Sequence, residues 1–239
     1  MSTGFLWRVA TVTSARPTGS RGRVLELAVE EWPGNIAGQH VDVRLTAEDG
    51  YQAVRSYSLA SSGTVPTIEL AVDEIPDGEV SPYLVEDVRP GDQVEVRGPI
   101  GGYFVWTPDR PEPVQLIAGG SGIVPMIAIA RAHVGSSAPL RLLYSVRTPA
   151  DVFYVEELNA LANADFRIDW AYTRSAPADD ARPPGRVDAA TIAEATLPPS
   201  EHPTVYVCGP TGFVETVADL LVAAGHPPDR IRTERFGGT

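Results

Sequence analysis

The chain is predicted to hold an all-β domain followed by an α/β domain with a parallel sheet. Three observations carry that reading. The first hundred residues are short runs rich in Val, Leu, Ile and Tyr, cut by Gly, Pro, Asn and Asp clusters. From Val114 onward, strand-like runs alternate with helical ones, the mark of βαβ units. Between them, TPDRPEP (107–113) packs prolines and charges together as linkers do. The expected division is a β domain over 1–106, a linker over 107–113 and an α/β domain over 114–239.

In the first part, strands are expected at 7–16, 24–32, 40–46, 56–61, 67–73 and 93–99. Several alternate apolar with polar residues, as a strand with one buried face must. Six strands at such spacing predict a sandwich or a small closed barrel. One short helix is expected at SPYLVEDV (81–88), stopped by Pro90-Gly91. In the second part, strands are expected at 114–118, 140–146, 166–172 and 204–208, and helices near 124–133, 152–163 and 212–224. The last of these helices places Val214, Val217, Ala218 and Leu221 on one face and ends at Gly225 and Pro227-Pro228. SAPADDARPPGR (175–186) is too polar and proline-rich for an element and is expected to be a surface loop.

Composition excludes several classes of function. Apolar residues make up 43% of 239, enough for a proper core. No apolar run reaches bilayer length, and the start MSTGFLWRVATV carries no visible leader, so a cytoplasmic protein is expected. A net charge of −12 argues against nucleic acid as partner. There is no lysine, so any anion must be held by arginine, backbone N–H groups or hydroxyls. One cysteine, Cys208, rules out an intrachain disulfide and a four-cysteine cluster, and four scattered histidines make no metal site.

The segment LIAGGSGIVPMIAIAR (116–131) combines a buried strand, a glycine turn and a helix start. Gly119, Gly120, Ser121 and Gly122 lead to Pro125 in the first helical turn, where free N–H groups favour an anion. In RSYSL (55–59), alternation puts Arg55, Tyr57 and Leu59 on one side of a strand and Ser56 and Ser58 on the other. An arginine beside an aromatic makes a shelf for a flat ring that carries a phosphate. In GEVSPYL (78–84), Ser81 stands where a helix N-cap would be; alternatively Gly78, Val80 and Ser81 present N–H groups and a hydroxyl to a second phosphate. Cys208, Gly209 and Pro210 close the strand TVYVC at its carboxyl end, where open α/β sheets bind ligands. A buried Cys208 is otherwise a small apolar filler. Ser145 and Arg147 follow the strand LRLLY, with Arg174 after the next; a hydroxyl and guanidinium groups there suit a phosphate.

Taken in order, RSYSL, GEVSPYL, GPIGGYF (98–104), GGSGIVP (119–125), SVR (145–147), FYVEEL (153–158), CGP (208–210) and ERF (234–236) make the sequence resemble the ferredoxin–NADP⁺ reductase superfamily. The likeness is to bacterial flavin reductase modules that feed oxygenases and flavohaemoglobins. It implies a six-stranded antiparallel Greek-key barrel that binds FAD rather than FMN, then a domain that binds NADPH rather than NADH. It further implies flavin contacts from Arg55, Tyr57, Ser58 and Leu59, with Gly78, Val80 and Ser81 at the flavin pyrophosphate. The nicotinamide nucleotide would fall to Gly119, Gly120, Ser121, Gly122 and Pro125, with Tyr154 against its adenine and Cys208, Gly209 and Pro210 near its reactive ring. Glu234 and Phe236 resemble the acid and aromatic that close over flavin. Tyr57, Ser58, Ser121, Cys208 and Glu234 are thus the expected catalytic set. Lacking the cysteines of an iron–sulfur domain, the chain is expected to hand electrons to a separate acceptor: a ferredoxin, an oxygenase, a haem or another redox protein. The alternatives are a free-flavin or ferric reductase needing no protein partner, and a flavin-binding electron-transfer or regulatory subunit of a larger complex.

Overall fold

The structure, a computed structural model, describes residues 6–163 and 165–237. The chain divides into two compact units, Met1–Trp106 and Thr107–Thr239.

The first unit is built on β1 (Trp7–Thr18), β2 (Gly22–Val29), β3 (His40–Thr46), β4 (Gln52–Ser58), β5 (Thr67–Asp73) and β6 (Gln93–Ile100). They form one antiparallel sheet in the order β4-β3-β6-β1-β2-β5. A bridge between Leu59 and Leu70, with the Ala60 N–H donating to the Glu69 carbonyl at 2.8 Å, brings the two outer strands together and curls the sheet into a barrel. Alternation explains the interior: Leu25, Leu27 and Val29 of β2, Val41 and Val43 of β3, and Ile68, Leu70 and Val72 of β5 all join one buried core. The fourth strand lies at 52–58, earlier than expected from SYSLAS, because the turn EDG allows a hairpin whose register pairs Thr46 with Gln52 and His40 with Ser58. The expected helix at 81–88 is a short helical segment whose regular part is a π turn, Tyr83–Asp87.

The second unit carries β7 (Val114–Gly119), β8 (Leu140–Val146), β9 (Phe166–Tyr172), β10 (Thr204–Pro210) and β11 (Ile231–Phe236), all parallel, in the order β11-β10-β7-β8-β9. Its helices are α1 (Ile123–His133), α2 (Val155–Leu161), α3 (Ala189–Ala195) and α4 (Thr211–Ala223). Every residue of β7 is buried, which is why its sequence is an apolar run instead of an alternating one. The lone polar side chain there, Gln115, is satisfied inside: its Oε1 accepts from the Leu197 N–H at 2.9 Å and its Nε2 donates to the Leu116 carbonyl at 3.1 Å. Helix α3 and strand β11 lie outside the elements expected from the sequence. The first is short but capped, with the Asp188 carboxylate accepting from the Thr191 N–H at 2.8 Å. The second is polar along most of its length and joins the sheet only through its pairing with β10. Among the described residues no helix is long and apolar enough to cross a membrane.

Candidate functional site

In the second unit the parallel registers align the carboxyl ends of the strands into one row. Gly119 lies opposite Ser145, Ala118 opposite Cys208, and Cys208 opposite Glu234. The chain runs β7 to β8 to β9 in one direction, then returns to place β10 on the far side of β7. The strand order therefore reverses between β7 and β10, and at such a point the loops leaving the two strands part to form a crevice. Those loops are Gly119–Gly122 and Cys208–Pro210, so residues almost a hundred positions apart meet where ligands bind.

The glycines in these loops answer first to the protein itself. A Cβ on Gly122 would come within 2.2 Å of the Cys208 carbonyl oxygen. One on Gly119 or Gly209 would press into the ring of Phe213, at 2.6 and 2.7 Å. Gly120 differs: its φ is +55°, and nothing lies within 4 Å of the Cβ position, so its open side is the one available to a ligand. Ser121 is half-exposed beside it, while Gly122 and Pro125 are buried as α1 begins. The reading of four glycine-loop residues as a phosphate surface thus narrows to Gly120 and Ser121, with Gly119, Gly122 and Gly209 shaping the support beneath.

The Cys208 side chain is buried (1% exposed), and burial followed by the nearby Glu234 carboxylate pushes its thiol well above the usual range. It remains a neutral S–H. Burial also pushes Glu234 up from 4.5 to about 7, so its carboxyl changes protonation near neutral pH. Together they present a fixed neutral thiol beside a group able to hold or release a proton. Phe236 ends β11 opposite the exposed Pro210. Ser145 is buried at the end of β8, while Arg147 and Arg174 are exposed. The Arg174 N–H donates to the Arg147 carbonyl at 2.9 Å, which ties the two residues together through the backbone. Neither guanidinium has a carboxylate partner among the described residues. Tyr154 is not on a helix surface: it is 4% exposed, left-handed in backbone (φ +59°), with the Arg131 guanidinium 5.4 Å from its ring centre. One face of that ring is already occupied by the cation.

In the first unit, the stretch before Leu59 is where β4 and β5 have not yet met, and it leaves Arg55 exposed and Tyr57 half-buried against the core. Ser56, on the other side, donates to Asp42 at 2.6 Å, and Asp42 also accepts from Arg97 at 2.6 Å. Desolvation pushes the Tyr57 hydroxyl up to about 12, so the ring stays neutral. Ser58 is half-exposed next to it. Leu59, expected with this group, has a fully buried side chain and donates its N–H to the Gln39 carbonyl at 2.9 Å, so it belongs to the barrel core. The 78–81 segment makes hydrogen bonds of its own. The Gly78 N–H already donates to the Ile75 carbonyl at 2.9 Å, and Val80 is buried. Ser81 is no cap; its Oγ accepts from the Ile75 N–H at 3.1 Å and closes the loop.

Two residues that sequence reasoning missed are Tyr51 and Glu79. Glu79 forms an ion pair with Arg55 and accepts from the Tyr51 hydroxyl at 2.6 Å. The Tyr51 hydrogen bond, with the Arg55 charge, holds the Glu79 carboxyl below its usual range. Both line a cavity of about 450 Å³ where the β3–β4 hairpin, the 79–83 segment and the start of β6 come together. Glu79 sits inside GEVSPYL, but no local pattern says that a carboxylate there will reach the arginine of RSYSL.

Known proteins match both units. The oxidoreductase FAD-binding domain family matches residues 20–105, and the oxidoreductase NAD-binding domain family residues 116–219. The chain is 31% identical over 212 residues to the glycine betaine monooxygenase reductase subunit of Chromohalobacter salexigens, covering 84% of this chain and 56% of that protein. It is 31% identical over 213 residues to the propane 2-monooxygenase reductase component of Mycolicibacterium smegmatis, covering 83% and 58%. It spans little more than half the length of these relatives. The FAD/NAD-binding domain of a nitric oxide dioxygenase from Vibrio cholerae superposes with a TM-score of 0.85 at 28% identity, covering 97% of this chain and 99% of that one. The class is a two-domain oxidoreductase for FAD and a pyridine nucleotide. In both units the chain is ferredoxin reductase-like: an FAD-binding domain followed by an NAD-binding domain of oxidoreductases.

Proposed function

We propose that the chain is an NADPH-dependent flavoprotein reductase that delivers electrons to a separate redox protein. The carrying observation is the row at the carboxyl ends of the parallel sheet, where the open side of Gly120, the Cys208 thiol and the Glu234 carboxyl flank the point at which strand order reverses. Bound flavin supplies the chemistry, accepting a hydride from reduced nicotinamide and releasing electrons singly. What the chain contributes is placement. Arg55 and Tyr57 hold the flavin by phosphate and ring, Ser58 donates a hydrogen bond to the ring edge, and Ser81 lends its hydroxyl to the pyrophosphate. Gly120 and Ser121 receive the pyrophosphate of the nicotinamide nucleotide, and the neutral Cys208 thiol abuts its ring without introducing charge. Glu234 holds or releases a proton, with Phe236 beside it. Acceptable geometry is narrow, about 3 to 3.5 Å between reacting atoms, which is why rigid strand ends carry these groups.

Preference for NADPH rests on Arg147 and Arg174, exposed arginines on backbone-bonded residues that would take a 2′-phosphate, with Ser145 at the end of β8. The relatives named as reductase components of a propane and a glycine betaine monooxygenase support an oxygenase component as the acceptor. The purified protein should be yellow and release FAD on denaturation. Rapid mixing should bleach its flavin absorbance faster with NADPH than with NADH, and Arg147→Ala should narrow that ratio about tenfold, the worth of one charge-assisted phosphate contact. Colourless protein that takes up no flavin would refute the function. An unchanged nucleotide ratio in the variant would place the 2′-phosphate elsewhere.

A further inference from the structure

Strand β4 carries Arg55, Tyr57 and Ser58 at an edge of the sheet. From Gln52 to Ser58 it is laddered on one side alone, to β3, and it meets β5 only at the Leu59–Leu70 bridge. A strand held by a single ladder twists and frays easily, and a slip of one residue turns every side chain to the other face. On the outer face of the barrel, a line of side chains crosses four strands at the level of Ser56. Ser56 of β4 lies opposite Asp42 of β3, Asp42 opposite Arg97 of β6, and Arg97 opposite Trp7 of β1. The Ser56 Oγ donates to the Asp42 carboxylate at 2.6 Å. Arg97 donates to the other carboxylate oxygen from Nη2 at 2.6 Å and from Nε at 3.2 Å. Its guanidinium lies 4.8 Å from the centre of the Trp7 ring, and that of Arg44, paired with Glu95, lies 4.2 Å from the same ring. Asp42 is 8% exposed; burial disfavours its charge, but the hydrogen bonds from Ser56 and Arg97 prevail and hold the carboxyl below its usual range.

We infer that Asp42 is a positioning residue: anchored to the inner strands of the sheet through Arg97, it clamps β4 through Ser56 and so holds Arg55, Tyr57 and Ser58 in the arrangement that receives the flavin. The inference rests on the reading of those three residues as flavin contacts. Ser56 stands between Arg55 and Tyr57 in the chain, so fixing it on the outer face fixes both neighbours on the inner one. Cross-strand pairs of this kind are what stabilise a sheet beyond its backbone ladder. A hydrogen bond to an ionised acceptor is roughly twice as strong as one between neutral groups, and a carboxylate serves here where an amide would hold less firmly. Arg97 balances the charge, so the clamp brings no uncompensated anion to the flavin strand. Sites that must hold a flat ring to within about 0.5 Å depend on such supporting contacts. Asp42 acts through Ser56 and is not a catalytic residue.

Amide hydrogen exchange of the flavin-free full-length protein, together with FAD titration followed by fluorescence quenching, tests this. Ser56 is exposed, so its replacement takes nothing from the core. Ser56→Ala is expected to speed exchange over residues 52–58 while the β1–β2 ladder stays protected. It should also weaken FAD about tenfold, the worth of one hydrogen bond to a charged group, and alter the visible circular dichroism of the bound flavin. Ser56→Thr keeps the hydroxyl and should restore all three readouts. Asp42→Asn keeps an acceptor without the charge and should fall between. Unchanged exchange at 52–58 in Ser56→Ala would overturn the clamp. Faster exchange there, with FAD affinity and flavin dichroism as in the wild type, would overturn its part in seating the flavin. Arg55→Ala separates the two levels of argument. If it leaves FAD affinity intact, or if the wild-type protein takes up no FAD, the flavin reading itself fails and the role assigned to Asp42 falls with it.

Discussion

Single residues decide the proton balance of this protein. Glu234 is pushed up from 4.5 to about 7 by burial, so the folded chain holds a proton that the unfolded chain gives up above pH 4.5. Its contribution is unpenalised below that pH and becomes a growing cost as pH rises towards 7. Replacing it with Gln should flatten this part of the pH–stability curve, read as the difference in melting temperature between variant and wild type from pH 4.5 to 7.5. The same replacement should remove a step near pH 7 from the rate of flavin reduction by nicotinamide nucleotide. A step that persists would assign the proton to another group. His226 works in the opposite sense. It is buried, its two ring nitrogens have no hydrogen-bond partner among the described residues, and desolvation lowers its pKa below 6.5. The unfolded state therefore binds a proton that the folded state refuses, and stability falls as pH drops below 6.5. His226→Leu should lessen that acid loss while keeping or raising stability at pH 8; an unaltered acid limb in thermal melts would count against the account.

At the scale of elements, the two loops that meet across β7 and β10 are tied by close packing. Gly122→Ala would drive a methyl into the Cys208 carbonyl, a backbone atom that cannot swing away. Overpacking of this kind costs about 1–3 kcal/mol, and denaturant unfolding should show a loss of that size or greater. Gly120 separates conformation from space. Its φ of +55° penalises a β-branched residue, but the room above it is open. Gly120→Asn should keep most of the stability and Gly120→Val should not, whereas nucleotide affinity should fall in both because the open side is filled. Equal stability of the two variants would show that the backbone there is not held in the left-handed region.

At the scale of the whole molecule, linkage gives the simplest test. A ligand that binds only the folded chain adds about 2.7 kcal/mol at one hundred times its Kd. Saturating FAD should therefore raise the melting temperature of flavin-free protein by several degrees, and Arg55→Ala should reduce that gain at the same FAD concentration. A melting temperature indifferent to FAD would argue that the barrel holds no flavin.

What was readable from the sequence follows from short-range chemistry. Period-two alternation in VLELAV and HVDVRL marks strands with one buried face, and the unbroken apolar run at 114–118 marks a strand covered on both. The change from one regime to the other, at the proline-rich stretch before Val114, sets the order of the two fold classes. The motifs RSYSL, GGSGIVP and CGP carry the resemblance because an arginine beside an aromatic, and glycines at the ends of buried strands, are residue types suited to a flat, phosphate-bearing ligand. β11 escaped notice because its ladder with β10, not its own apolarity, makes it a strand. Only the tertiary structure decided that Tyr154 turns inward under Arg131, that Leu59 seals the barrel, and that three glycines serve Phe213 and the Cys208 backbone. It alone joined Arg55 to Glu79 and set Glu234 beside Cys208. The reason is range. Propensity and periodicity act over a few neighbouring residues, whereas desolvation, ion pairing and steric exclusion depend on atoms that come close only after strands far apart in the chain have paired.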